Sequence, residues 1–499
     1  MRKATFVFLH MLTIVLVICS LFTGLRFSLL TQDGLKFLSA LLPQGNLYFW
    51  HIGSASLLSA LAAGYLLLCL WRPYRSSPSH YHLWVNRFGY LIILVLLSSG
   101  WLLWLGRFVV IAQPLHFYSF WLLLIYLLMH GWAYFIQHGK YVISALLPKQ
   151  PDKHSIAVVI SVTAGGLLLY SAAQHSGETL TVASLAPEEF IEIDGLGDES
   201  HWQRAPVYTI ETHGGINFDD GRSTIQVQAL ANSQESYFLV RWTDSSMSTN
   251  HLPLLKTQAG WKIQQNGFYE FDERTFYEDK LAVMLSHSCE VGADNTAQLG
   301  NRPLDGKPPN WHGKGFHASM DGKIRDLWHW KAVRTNDMYL ADDNFFGPPA
   351  KEQKGQRRYT AGYQPDGKES GAYVMNWQWY KPGLVTPKRL PHQSNAHLSV
   401  LPWFGSTPYT AENDDFAPGS TLSSILYRSN RFEGDRADVR ARGTWDNGVW
   451  TLELVRKHDT GSEHDVPLTN GTCMWFSAFD HAQVGHTRHM RPAILRYPL

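Results

Sequence analysis

Five apolar runs between residues 1 and 175 constrain this chain more than any other feature. They cover 4–24, 47–71, 88–105, 116–137 and 156–173, each near the ~20 residues that a hydrocarbon core requires. In lipid, backbone polar groups must be satisfied within the segment, so each run is expected to be a helix. Four histidines, His10, His51, His116 and His130, lie in or at the edge of these runs. An imidazole in lipid is costly without a partner, which makes each a candidate functional residue. His116 and His130 share one predicted helix, fourteen residues apart. That is ~21 Å of rise and close to four whole turns, so both rings project from one helix face. Two b-type haems stacked through a membrane suit that spacing.

The positive charges set an expected orientation. Arg2 and Lys3 precede the first run, Arg72, Arg75 and Arg87 follow the second, and Lys140, Lys149 and Lys153 follow the fourth. The alternate loops hold only Arg26, Lys36 and Arg107. The N-terminus is therefore expected in the cytoplasm of a bacterial cell, with everything after the fifth run in the periplasm. Met1-Arg2-Lys3 before an apolar run imitates a signal peptide. No small-residue cleavage site follows Thr23-Gly24-Leu25-Arg26, so the run is expected to stay as a span. Depth then pairs His51 with His116 toward the periplasm, and His10 with His130 toward the cytoplasm. Each pair offers two axial nitrogens to one haem iron. The alternative is a histidine bonded to a backbone carbonyl within the bundle, a reading open to any one of them but much weaker for four at two matched depths. His80, His82 and His138 fall in expected cytoplasmic loops, and His154 at the interface.

Composition changes abruptly after residue 174. The remainder is rich in Trp, Tyr, Gly, Asp and Asn, without a long apolar run. Short alternating segments at 223–230, 236–242, 281–285 and 448–455, separated by turn formers, predict a β-sandwich. The stretches 294–315 and 345–358 are too long for hairpin turns and read as loops covering a site. Cys19 and Cys69 lie in apolar runs as packing residues. Cys289 and Cys473 can form one disulfide if this part is exported. The net charge of +1 and the absence of a basic stripe give no support for nucleic-acid binding.

The first four runs, with one histidine on each of the first two and two on the fourth, resemble the diheme cytochromes b of the bacterial cytochrome b561, formate dehydrogenase gamma and nickel-iron hydrogenase group. The resemblance implies two haems b, on His10, His51, His116 and His130. The remainder resembles the haem-binding domain of the ethylbenzene dehydrogenase gamma subunit. The residues that carry this are Ile193-Asp194-Gly195 with Trp202 and Ala205-Pro206, Phe238 to Asp244, Tyr277-Glu278-Asp279-Lys280, Asp326 to Ala332, and Tyr339 to Asp343. That family is a β-sandwich holding one b-type haem through Met and Lys. Carried onto this chain, the resemblance leaves Met247 and His251 on one side. On the other are His486 and His489, where the family's Lys would fall. Only Cys289 remains of the Cys-x-x-Cys-His attachment sequence that some relatives carry, so covalent attachment is not expected. His329 and His317 read as packed histidines in aromatic surroundings, and His312 with His317 lacks a convincing third metal ligand.

These readings give a membrane protein of three parts. They are an all-α four-helix diheme bundle (1–150), a fifth span with linker (151–177) and a periplasmic all-β sandwich (178–499). The expected function is electron transfer between the quinone pool and a periplasmic redox protein, possible partners including a molybdenum-type oxidoreductase. Arg26 and Arg107 would face haem propionates at the outer surface. No nucleotide-binding loop, nucleophile motif or paired-carboxylate constellation points to a stand-alone enzyme. The alternative is a membrane-anchored ligand-binding or sensor protein, or the anchor of a periplasmic oxidoreductase, without electron transfer of its own.

Overall fold

The computed structural model describes residues 3–71, 80–141, 153–301, 313–350, 362–367, 372–381, 383–392, 399–429 and 433–498. Arg2, Arg72, Arg75, Lys149 and His312 lie outside the described residues, as do parts of both expected long loops. The chain divides into two units, Met1–Ser176 with Glu290–Leu299, and Gly177–Cys289 with Gly300–Leu499.

Among the described residues the first unit is built on five long helices: α1 (Lys3–Ser28), α2 (Leu47–Trp71), α3 (His80–Trp104), α4 (Val109–His138) and α5 (Lys153–Gln174). All five are long and apolar enough to cross a membrane. The chain is thus a multi-pass membrane protein. The helices overrun the apolar runs, because intrahelical hydrogen bonds do not stop where hydropathy falls. His80 and His82 therefore sit in the first turn of α3 and His138 ends α4, where loops were expected.

Small and hydroxylated residues set the helix contacts, as lipid offers no hydrophobic drive between helices. A Cβ on Gly166 of α5 would overlap Leu57 of α2, and one on Gly89 of α3 would overlap the Tyr126 ring of α4. Ser20 and Ser54 hydroxyls share a hydrogen bond of 2.7 Å between α1 and α2, and Thr5 and Ser155 one of 2.8 Å between α1 and α5. Glu290–Leu299 joins this unit through Leu299 and Gly45, which exchange backbone hydrogen bonds of 2.7 and 2.8 Å. Asn46 also donates to Asn295 at 2.8 Å.

The second unit is a sandwich. The strands of its main sheet are β1 (Glu178–Ser184), β2 (Tyr208–His213), β3 (Arg222–Ala231), β4 (Glu235–Thr243), β5 (Lys280–Ser286), β6 (Arg325–Lys331), β7 (Asp342–Phe346), β8 (Tyr363–Pro365), β9 (Arg440–Asp446), β10 (Val449–Lys457), β11 (Cys473–Phe479) and β12 (Ala493–Arg496). They run β8-β7-β6-β5-β11-β12-β1-β3-β4-β10-β9, with β2 on the free edge of β3. β1 forms the corner: Glu178 to Thr181 pair with β12, then Val182 to Ser184 pair with β3. Both layers turn side chains into one core. Trp328, Trp330, Val283 and Phe476 meet Phe238, Val240, Trp242 and Trp450 there. Trp242 stacks on Trp450 at 5.9 Å, and Trp330 meets Trp450 edge-on at 5.1 Å. Alternation at two-residue period produces this, every second residue of β4 and β10 facing inward. Cys289 and Cys473 are joined by a disulfide with Cα atoms 5.6 Å apart.

Candidate functional site

Within the helical unit, His51 on α2 and His116 on α4 stand with ring centres 6.3 Å apart, and His10 on α1 and His130 on α4 with ring centres 6.1 Å apart. Two imidazoles on opposite sides of one metal ion, each nitrogen ~2.0–2.1 Å from it, have ring centres about 6 Å apart. In three of the four, Nδ1 is already engaged. Thr23 gives its hydroxyl proton to Cys19 O at 2.7 Å, leaving its oxygen to accept from His51 Nδ1 at 2.9 Å. His116 Nδ1 donates toward Leu96 O at 3.1 Å, with Ser99 Oγ also at 3.1 Å. His130 Nδ1 lies 3.3 Å from the Tyr126 hydroxyl. A proton held on Nδ1 puts the lone pair on Nε2, the tautomer a metal-binding histidine needs.

Two glycines make space beside these rings. A Cβ on Gly24 would stand 3.3 Å from His51 Cε1, and one on Gly100 would stand 3.1 Å from His116 Cε1. Paired imidazoles with Nδ1 contacts and glycine clearances fit a haem between His51 and His116, and the paired rings with the Tyr126 contact of His130 fit one between His10 and His130. Arg26 is 3% exposed in the last turn of α1, whereas Arg107 is exposed.

In the sandwich the four residues expected from sequence separate. Met247 is 53% exposed. His251 is buried in a different cluster, edge-on to Tyr277 at 4.6 Å and beside Leu252, Leu254 and Trp261. His489 accepts the Phe476 backbone N–H at Nδ1, 3.2 Å away. That places its proton on Nε2 and leaves no lone pair there for iron. His486 does the opposite: its Nδ1 lies 2.7 Å from Thr487 O, so Nδ1 donates and Nε2 holds the lone pair.

The sequence reads His317 as a packed histidine, yet it lies 6.1 Å from His486 ring centre to ring centre, 31° from parallel. His317 stacks on Phe346 at 4.7 Å, and His486 packs on Phe479 at 5.1 Å. Burial, and then His486 beside it, pulls His317 to about 3. Burial pulls His486 to about 4 against the Thr487 carbonyl that favours its charged form, with Arg488 and Lys280 lowering it further. Both imidazoles are therefore neutral, as metal ligation requires. His329, on β6, also stacks on Phe479, at 5.5 Å. It was expected to be packed and hydrogen-bonded; it is packed, but neither ring nitrogen has a hydrogen-bond partner among the described residues. Nothing in sequence spacing joins His317 to His486, since only the meeting of their segments does so.

The fold also assembles carboxylates that looked unrelated along the chain. Asp279, Asp480 and His481 converge, as do Asp326, Asp343 and Asp465. Asp244 joins the first group: burial, then Asp279 and Asp480, push its carboxyl up to about 8. Burial likewise raises Asp279 to about 7, against the backbone N–H groups of His481 and Ser248 that favour its anion. Burial opposes charge on His481, but Asp480 and Asp279 beside it hold its pKa above the ordinary value.

Fold and geometry define a multi-pass membrane protein carrying a β-sandwich. Residues 199–491, more than half of the chain, match the family described as ethylbenzene dehydrogenase. The chain belongs to that family. No curated protein matches it significantly. Among solved structures, a family 9 carbohydrate-binding module from Caldicellulosiruptor kristjanssonii in complex with cellotriose is similar at 7% identity. It covers 64% of this chain and 95% of that one, with a TM-score of 0.23. A putative carbohydrate-binding protein from Bacteroides uniformis is similar at 9% identity over 65% of this chain and 100% of that one, with a TM-score of 0.26. Likeness this slight carries no functional weight.

Proposed function

We propose that the chain is a membrane-bound b-type cytochrome that transfers electrons between the quinone pool and a periplasmic redox partner. The observation that carries this reading is the meeting of His51 with His116 and of His10 with His130 at ring-centre separations of 6.3 and 6.1 Å. Haem b bound at these pairs would supply one-electron transfer, with potentials set by ligand, burial and hydrogen bonding. Thr23, Leu96 and Ser99 orient the imidazoles, and Gly24 and Gly100 keep side chains clear of them. A third haem would be held in the sandwich by His486 and His317, in place of His251, His489 and Met247.

Membership of the ethylbenzene dehydrogenase family supports a redox subunit of a periplasmic oxidoreductase, and a molybdenum-type catalytic protein is the proposed partner. The loop charges favour a cytoplasmic N-terminus in the bacterial inner membrane, with the sandwich in the periplasm. The Cys289–Cys473 disulfide agrees with an oxidising compartment.

A pyridine haemochrome assay on the detergent-purified chain tests this. Three b-type haems per chain are expected. Two would remove the sandwich haem and keep the membrane cytochrome. None, from cells with ample haem, would overturn the reading in favour of an anchored binding protein.

A further inference from the structure

β6 and β7 pair antiparallel with Asp326 opposite Phe345 and Trp328 opposite Asp343. Directly opposed residues share a face and diagonal neighbours on it are in reach, so Asp326 and Asp343 turn to the same side. Asp342, one residue earlier, turns to the other side and is neutralised there by Lys331 and Arg436, with the Tyr373 hydroxyl donating at 3.0 Å. Asp343 has no such arrangement. It is 0% exposed, and neither carboxylate oxygen has a hydrogen-bond partner among the described residues. Asp326 Oδ1 and Asp465 Oδ1 share that condition, and ligand oxygens of the three acids lie within 4.8 Å of one another.

Burying a bare carboxylate is expensive, and burying several together more so. One cation is at hand: Arg456 pairs with Asp326 and approaches Asp465 Oδ2 at 3.8 Å. Val466 N–H donates to Asp326 Oδ2 at 3.2 Å, and the Thr460 hydroxyl to Asp465 Oδ2 at 2.6 Å. Asp366 borders the group but is held by His464 Nδ1 at 2.7 Å and by Ser462 at 3.1 Å. Three carboxylates against one guanidinium leave two negative charges.

We propose that Asp326, Asp343 and Asp465 form a structural site for one divalent cation, with calcium as the favoured ion. Its charge balances the group, and oxygens bound to one calcium at ~2.3–2.6 Å lie within about 5 Å of each other. Calcium accepts an irregular set of carboxylates, whereas magnesium demands octahedral geometry and keeps several waters. Two ligands stand on adjacent strands and the third in the loop after β10, so the ion would clamp that loop to the sheet edge.

The test uses the full chain in detergent, stripped with a chelator, and follows metal content and thermal unfolding of the sandwich as calcium is added. About one bound calcium per chain and a higher unfolding temperature are expected, with a weaker response to magnesium. Asp343→Asn and Asp465→Asn should fold without calcium, as judged by near-ultraviolet circular dichroism, and lose the calcium response. The proposal is overturned if the native chain neither retains calcium nor shifts its unfolding at ~1 mM, the range of weak extracellular sites. It is equally overturned if Asp343→Asn responds as the native chain does, or if that variant is stabilised while the native chain ignores calcium. The last pattern would mean that protons neutralise the acids.

Discussion

The imidazoles of His317 and His486 stand with ring centres 6.1 Å apart, the separation also found for His10 with His130. Backbone hydrogen bonding distinguishes His486 from its neighbour His489: Thr487 O lies 2.7 Å from His486 Nδ1, whereas Phe476 N–H points at His489 Nδ1 at 3.2 Å. His486→Ala and His317→Ala should each lose one haem of three while His489→Ala keeps all three. His489→Ala should instead lower stability by about 1–3 kcal/mol, since it orphans a buried backbone donor. Haem per chain and denaturant unfolding of the three variants separate these effects; equal haem loss in all three would defeat the assignment.

The glycines beside the membrane pairs give a second prediction. A Cβ at Gly100 would meet His116 Cε1 at 3.1 Å, closer than side chains ordinarily approach. Gly100→Ala should displace that ring and weaken the haem shared by His51 and His116, leaving the His10 and His130 haem spectrally unchanged. Low-temperature absorption spectra and redox titration of membranes would resolve the two. An unaltered pair of spectra would show that the ring has slack.

How far the sequence goes depends on the range of the interaction. The strands follow from alternation, a local signal: 236–242 lies inside β4, and 448–455 matches β10 apart from Gly448, which precedes it. The proximity of His10 to His130 follows from helix rise and loop charge, which need only topology. His317 and His486 were not legible as a pair, because no period connects a short segment after a long loop with the turn following β11. Met247 shows the converse: the right residue type in a plausible position, yet 53% exposed. Asp342 and Asp343 look equivalent in sequence, and only strand pleat sends one to two cations and the other among acids.

Stability of the sandwich should fall as pH rises through neutrality. Burial raises the Asp244 carboxyl to about 8 and Asp279 to about 7. An unfolded aspartate ionises near pH ~4, so between there and about 8 the native state binds more protons than the unfolded state. The contribution is full at low pH and is lost as pH rises toward the native values. Asp244→Asn removes one such group and should flatten the dependence. Unfolding temperature measured across this window at fixed calcium checks it, and a native profile that climbs with pH would contradict it.

The disulfide should matter for the same unit. It closes a loop of sequence separation 184 and joins the end of β5 to the start of β11. Loss of a native disulfide typically costs 2–5 kcal/mol, mainly by freeing the unfolded chain. Cys289→Ser with Cys473→Ser should therefore lower the denaturant midpoint of the sandwich, with haem content of the helical unit unchanged. An unshifted midpoint would mean that the adjacent strands alone hold those ends together.

The last prediction concerns Glu278 and Arg334, which are paired and fully buried. Burial opposes ionisation of Glu278, but Arg334 first and His251 next hold its pKa below the usual carboxylate value. Glu278 also accepts the backbone N–H groups of Val333 at 2.6 Å and Arg334 at 2.9 Å, so it organises the turn that follows β6. Glu278→Gln keeps the shape and some acceptor capacity but leaves a guanidinium buried without its counter-charge. Removing one partner of a buried pair costs about 3–5 kcal/mol, more than the pair itself contributes relative to apolar residues. Replacing both, as Glu278→Gln with Arg334→Met, should recover a substantial part of the loss, because no bare charge remains. A double-mutant cycle in denaturant measures this directly. If the double variant is as unstable as the sum of the single ones, the pair acts through the separate backbone and packing contacts of its members rather than through charge.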